Sequence, residues 1–182
     1  MKHLIELHMH LDGSLRAETM WELAMEQGLE LEEKSIEEVR SKMEVPEDCK
    51  TLEEYLERFA LPTKVLQTEH AIERVAFDMV ETLAKEGVTY AEVRFAPQLH
   101  TQKGLTQAQV VEAAIRGTKL GMEQYPGIRV TLNSDNMTCS RVNIHSELDI
   151  LRTVFGFTEE EIETIMQYAY EARFLKDYIN EQ

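Results

Sequence analysis

The chain has 182 residues, 43% of them hydrophobic, which is enough for one domain with a sizeable core. Its 34 acidic and 19 basic residues give a net charge of −15, and such a surface repels phosphate backbones and anionic membranes. We therefore expect no nucleic-acid or membrane partner. The two cysteines form no pair motif and the amino terminus has no apolar leader, so we expect a cytoplasmic protein without disulfides.

Three short segments, 3–10, 88–95 and 128–133, alternate apolar and polar residues as strands do. We expect each strand to bury its apolar face under helices and to present polar side chains on the other face. The long stretches between these segments imply parallel pairing through crossover connections.

Helical patterns fill most of the remaining chain. Predicted helices cover 16–28, 35–43, a segment from the capping box at Thr51 to near Pro62, 68–86, 106–125, and the whole tail after residue 144. The sequence thus predicts an α/β fold of about three strands and many helices. Three strands cannot close an eight-stranded barrel, which usually needs about 250 residues.

Two histidines, His8 and His10, lie at the carboxyl end of the first predicted strand. Side chains at positions i and i+2 of a strand point to the same side, so both imidazoles face one spot, at about the spacing two metal ligands need. Active sites of parallel α/β folds form at this end of the strands. The alternative is a pair of histidines on an exposed strand edge.

Further polar candidates follow the other two strands. Asp135 falls on the polar face beyond the third strand, although such a segment is more often a turn or a helix cap. Glu92 and Arg94 share a face of the second strand, where we favour a structural ion network over a catalytic role. His100 is a further candidate metal ligand, although we favour an exposed loop histidine.

Together and in this order, these motifs resemble those of the adenosine deaminase family of zinc-dependent hydrolases. The similar segments are 5–14 for the family's first strand, 90–97 for its second strand, 130–136 for its last strand and 171–175 for its closing helix. The resemblance implies a single adenosine-deaminase-like domain over residues 1–182. Its fold would be a partial, truncated TIM-barrel-like parallel β/α arrangement that lacks the family's central strands.

The resemblance also implies roles for individual residues. His8 and His10 match two zinc ligands, and Asp135 matches the carboxylate that binds zinc and contacts the attacking water. Asp12 and Gly13 match positions that line the nucleoside pocket near the ribose.

Three more residues are implied to contact the substrate. Leu56 and Phe59 resemble the apolar gate over the purine, and ordinary helix core is the alternative for both. Asn136 replaces the aspartate that often comes second in an Asp-Asp pair, which affects recognition of the purine ring nitrogen.

Three family motifs have no counterpart in this sequence: the third zinc histidine, the glutamate that protonates the purine, and the histidine that helps to activate water. A general acid or base typically contributes 10²- to 10⁴-fold to a rate. The resemblance therefore implies Zn²⁺-dependent conversion of adenosine to inosine and ammonia, impaired or absent in this chain. Two alternatives are a catalytically dead metal-binding remnant and a half-barrel module that self-associates as a homo-oligomer through its open sheet edges.

Overall fold

The computed structural model describes residues 4–126, 129–131, 144–153 and 158–172. In chain order the elements are β1 (Leu4–His10), α1 (Ala17–Glu26), α2 (Ile36–Met43), α3 (Leu52–Leu56), α4 (Ala60–Val65), α5 (Glu69–Lys85), β2 (Val88–Arg94), α6 (Gln107–Gln124), β3 (Arg129–Thr131), α7 (Ile144–Thr153) and α8 (Glu159–Ala172). Short 3-10 helices lie at Asp12–Ser14, Glu57–Phe59 and Pro97–His100.

The strands form one parallel sheet in the order β1-β2-β3. The carboxyl ends of β1 and β2 meet at one edge, where His10 pairs with Arg94 and the Leu11 N–H donates to the Arg94 carbonyl at 3.0 Å. The predicted parallel α/β arrangement of three strands and several helices is confirmed, and residues that follow β1 and β2 gather at this edge.

Helix starts follow the capping residues that the sequence contains. The side chains of Ser35, Thr51, Thr68 and Thr106 each accept a hydrogen bond from a backbone N–H in the first turn of the helix that follows. Such caps satisfy donors that have no partner within the helix, which fixes where the helix begins.

Pro62 does not end a helix, so that prediction is wrong. It occupies the third position of α4, where a backbone N–H would have no partner inside the helix. The helical path breaks instead just before it, where Glu57–Phe59 forms a 3-10 turn between α3 and α4. A proline ring clashes with the carbonyl four residues earlier, and the 3-10 turn spans that position, Arg58.

The central strand β2 is buried on both faces, which corrects the expectation of an open polar face. Tyr90 is fully buried and Glu92 is 7% exposed, and the Tyr90 hydroxyl donates to Glu92 Oε1 at 2.9 Å. Arg94, at the end of the strand, is exposed. Hydrogen bonding between polar neighbours makes their burial tolerable.

An ion cluster around Asp78 fixes α1 against α5. The Asp78 carboxylate is buried and accepts from Thr19 Oγ1 at 2.6 Å, while Arg16 and Arg74 approach it at 2.7 and 3.1 Å. Because Arg16 directly follows the 3-10 helix Asp12–Ser14 and Leu15, this cluster also anchors the segment that leaves the carboxyl end of β1.

Two features bear on the expectations from composition. Within the part of the chain that the structure describes, no helix is both long and apolar enough to span a membrane. Cys49 is a free thiol, and Cys139 lies outside the described residues.

Candidate functional site

The two candidate zinc histidines lie at a bulge in β1. Between Glu6 and Met9, strand β1 carries one residue more than the facing stretch of β2, so the pairing shifts at this point. Met9 is buried, whereas His8 is exposed and the His10 side chain is 33% exposed. Bulges often re-aim side chains beside active sites. Here both imidazoles flank a buried residue, and both are at least partly exposed.

A buried carboxylate lies beside His10. Asp12 Oδ1 is 3.5 Å from His10 Nδ1 and accepts a hydrogen bond from the Gly13 N–H at 3.2 Å, with only 6% of the Asp12 side chain exposed. The Ser14 hydroxyl donates to the His10 carbonyl at 2.7 Å. Carboxylates in this position commonly fix the orientation of a metal-binding histidine. The first turn after β1 therefore holds the His10 ring in place.

Phe59, one of the two predicted gate residues, lies over the same edge. The Phe59 ring meets the His10 ring edge-on, with centroids 6.3 Å apart, and contacts Tyr55 at 6.0 Å. Leu56 is 53% exposed and α3 contains no buried residue. The helix-core alternative is therefore wrong for Leu56, and Phe59 is only partly buried.

His100 is 1% exposed, so the favoured interpretation as an exposed loop histidine is wrong. The 3-10 helix Pro97–His100 turns the side chain inward, where its ring lies 5.8 Å from that of Phe95. Burial lowers the pKa of His100, while the Asp12 carboxylate and the Leu66 backbone oppose this shift. Neither ring nitrogen forms a hydrogen bond of good geometry with any described residue.

A groove of about 600 Å³ adjoins the gate. Its lining combines apolar and polar side chains: Leu29, Leu56, Phe59, Ala60, Thr63, Lys64, Gln67, Gln102 and Lys103. This groove could not be predicted from the sequence. Lys64 follows the predicted gate closely, but Lys103 lies far along the chain and reaches the groove only through the fold.

Asp135 and Asn136 lie outside the described residues. Within the described ranges, no three histidine, cysteine or acidic side chains form a group able to hold a metal ion. The structure thus brings His10, Asp12 and Phe59 together at the carboxyl edge of β1, with Gly13 in the adjoining turn and His8 two residues before His10.

The comparison with known families decides where this chain belongs. The adenosine deaminase family model matches residues 4–127, which include β1, the gate, β2 and α6. The chain belongs to the adenosine deaminase family. The resemblance seen in the motifs at the ends of the first two strands is thereby confirmed.

Individual relatives agree with this assignment. An adenosine deaminase from Clostridium perfringens is 50% identical over 121 residues, or 66% of this chain and 36% of the relative. An adenine deaminase structure from Arthrobacter aurescens matches 72% of this chain and 39% of its own, with 30% identity and a TM-score of 0.63. A zinc-bound amidohydrolase from Burkholderia ambifaria shares the fold at 23% identity, a TM-score of 0.58, and coverage of 72% and 35%. The chain therefore spans less than half the length of these relatives.

Proposed function

We propose that this chain provides the zinc-binding edge and the purine gate of an adenosine deaminase, the hydrolase that converts adenosine to inosine and ammonia. The observation that carries the proposal is the His8–His10 pair at the carboxyl end of β1, with Asp12 beside His10 and Phe59 over it. In a member of this family, that edge is where a 6-aminopurine nucleoside would meet the metal. The fold that presents this edge is proposed to be a partial TIM-barrel-like arrangement of parallel strands and helices.

The donor set at this edge fits a zinc ion in part. Imidazole nitrogens suit zinc, and a catalytic zinc site has three protein ligands and one open position. Asp12 faces Nδ1 of His10, so a proton held between those two atoms would make Nε2 the nitrogen of His10 that binds metal. Asp135, which the family resemblance implies as a ligand, would be the third and would bring the set to that minimum.

Each residue then has a defined task. His8, His10 and Asp135 would hold the zinc, which when bound would lower the pKa of a water toward about 7 and so supply the nucleophile that attack at purine C6 needs. Asp12 holds the His10 ring, and the N–H of Gly13 holds Asp12. Leu56 and Phe59 place apolar surface where the purine ring would lie and displace water from it.

Little turnover is expected from this chain. The purine ring nitrogen must gain a proton before C6 becomes electrophilic, and the departing ammonia needs one as well. The family's glutamate and histidine for these steps have no counterpart motif here, and each such group typically contributes 10²- to 10⁴-fold. We therefore expect zinc binding without a matching rate of deamination.

Zinc titration of histidine variants tests the site. His8→Ala and His10→Ala should each weaken zinc binding by at least the roughly 10- to 100-fold that loss of a supporting residue costs. Asp12→Asn should weaken zinc binding by a factor within that range, because it removes the negative charge that faces Nδ1 of His10. His70→Ala is the matched control, since His70 lies on α5, bonded to Glu26 and 71% exposed. The proposal fails if the His8 variant binds zinc as tightly as the parent.

The other interpretations remain predictions. An inactive remnant that binds zinc would give the same titration with no turnover. Self-association through open strand edges, and residence in the cytoplasm, are further predictions. Asn136 is proposed to contact the base in place of the usual aspartate.

A further inference from the structure

The gate residues belong to a segment that buries little of itself. This gate segment, residues 52–65, comprises α3, the 3-10 turn Glu57–Phe59 and α4, and of these described residues only Pro62 and Val65 are buried. Helices as short as α3 and α4 are not stable in isolation, so their positions depend on contacts with the rest of the fold. Those contacts therefore decide where Phe59 lies.

A buried glutamine follows directly after α4. Leu66 ends the helix in an inverse γ-turn, with φ −78° and ψ 52°, and the Gln67 N–H donates to the Val65 carbonyl at 2.8 Å. After this turn Gln67 lies inside the fold, with 2% of the residue exposed. An amide so buried needs hydrogen-bond partners for its donors and for its acceptor.

The Gln67 amide joins the end of α4 to the turn after β2. Its Nε2 donates to the Thr63 carbonyl at 2.7 Å and to the Leu99 carbonyl at 2.9 Å. Its Oε1 accepts from the Gln102 N–H at 2.8 Å. Both donors of the amide are used, and a flipped amide would place its oxygen against two carbonyls. Because Leu99 and Gln102 flank His100, the amide also fixes the turn that points the His100 ring inward.

Both parts that the amide joins pack against the body of the fold. The 3-10 helix Pro97–His100 packs against α6, and α4 packs against the 3-10 helix Asp12–Ser14 at the end of β1. A second amide also holds α4, since Gln27 Nε2 donates to the Val65 carbonyl at 2.9 Å, but Gln27 is partly exposed. Gln67 is therefore the buried link between the gate segment and the turn after β2.

We propose that Gln67 is a positioning residue for the gate: its amide holds α4 against the turn after β2 and so keeps the Phe59 ring over His10. This role rests on the proposed function, in which the purine lies against the gate. Phe59 directly precedes α4, and its ring centroid lies 6.3 Å from that of His10. A shift of α4 would therefore carry Phe59 away from the zinc-binding edge.

Nuclear magnetic resonance of the full chain without metal tests this role, with a nuclear Overhauser cross-peak between the ring protons of Phe59 and His10 as the probe. We expect that cross-peak in the parent. Gln67→Met has a side chain of similar length that cannot bond the Leu99 carbonyl or the Gln102 N–H. This variant should lose the cross-peak, and its His10 ring signals should shift towards those of a Phe59→Leu variant.

Gln67→Glu keeps the shape of the side chain and provides a second test. As a carboxylate it has no donor for the carbonyls of Thr63 and Leu99, so the cross-peak should be lost at about pH 8. A protonated carboxyl regains one donor, and burial raises the pKa of such a group. The cross-peak should therefore return in part at about pH 5, judged against the parent at the same pH.

Gln109→Met is the matched control, because the Gln109 amide also accepts hydrogen bonds, from Thr106 at the start of α6, and lies outside the gate segment. It removes an amide in the same way and should keep the cross-peak. Zinc affinity of Gln67→Met should equal that of the parent, because His8 and His10 lie on β1.

Several outcomes would overturn the role of Gln67. They are a cross-peak that is absent from the parent, lost in the Gln109 variant, kept at about pH 8 by either Gln67 variant, or not restored in Gln67→Glu at about pH 5. Weaker zinc binding by Gln67→Met, or loss of the whole fold in either Gln67 variant, would show a general structural role instead and also overturn it. Since the probe needs no metal, a parent that fails to bind zinc would contradict only the proposed function.

Discussion

Burial keeps His100 neutral to lower pH than a histidine in water. The low exposure of its ring lowers its pKa below the ordinary value of 6.5, against the opposing influence of the Asp12 carboxylate. The unfolded chain binds a proton at this position as pH falls through about 6.5, whereas the folded chain does not. Folding stability therefore decreases as pH falls from about 6.5 towards the lowered pKa of His100.

Replacing His100 with leucine should remove this pH dependence. The variant also removes two buried ring nitrogens without good hydrogen-bond partners among the described residues, so its free energy of unfolding at pH 7 should equal or exceed that of the parent. Urea unfolding at pH 7.5, 6.5 and 5.5 measures both effects. Parallel stability curves for parent and variant would show that His100 titrates alike in the folded and unfolded chains.

At the scale of the elements, two glycines set how closely α5 and α6 pack. A Cβ at Gly117 would lie 2.0 Å from the Glu73 carbonyl oxygen and 2.9 Å from Ala76 Cβ, and one at Gly121 would lie 2.7 Å from Val80 Cβ. The Glu73 carbonyl belongs to the backbone of α5, so it cannot move aside for a Cβ as the end of a flexible side chain can. The two helices are therefore in contact across both positions only because neither residue has a side chain.

Gly117→Ala should destabilise the fold by about 1–3 kcal/mol, the usual cost of overpacking. In an exposed helix the same change would stabilise by about 0.5–1 kcal/mol, so the sign of the effect is diagnostic. Lys119→Ala, at an exposed position of the same helix, should change stability by less than about 0.5 kcal/mol. A more stable Gly117→Ala variant in chemical denaturation would refute the close approach.

Most element starts could be predicted because they depend on local chemistry. Ser35, Thr51, Thr68 and Thr106 cap helices by bonding to residues three positions later, and this pattern is visible in the sequence. The prediction of a helix end at Pro62 failed because proline is tolerated in the first turn of a helix. After the 3-10 turn Glu57–Phe59, a new helix, α4, begins at Ala60, so Pro62 lies in its first turn. The bulge beside His8 could not be predicted, since it depends on the register against β2.

At the scale of the whole molecule, only the part of the site that lies within one sequence motif could be predicted. His8, His10 and Asp12 lie within one short segment, so their proximity follows from the strand and the turn after it. The groove combines side chains from the turn after α1, from α3 and α4, and from the loop before α6. Residues so distant in sequence meet through tertiary packing, which no local pattern reports. The burial of His100 also depends on tertiary packing and could not be predicted from local sequence.

Absorbance measurement of adenosine conversion to inosine, with zinc supplied, tests the central claim that this chain holds a metal-binding edge without its proton-transfer groups. We expect turnover at least 10²- to 10⁴-fold below the roughly 1 to 10³ per second typical of enzymes, because the family's acid–base motifs have no counterpart in this sequence. The small residual rate should fall further in His8→Ala. Turnover between about 1 and 10³ per second would contradict the account and show that other residues of this chain transfer the protons.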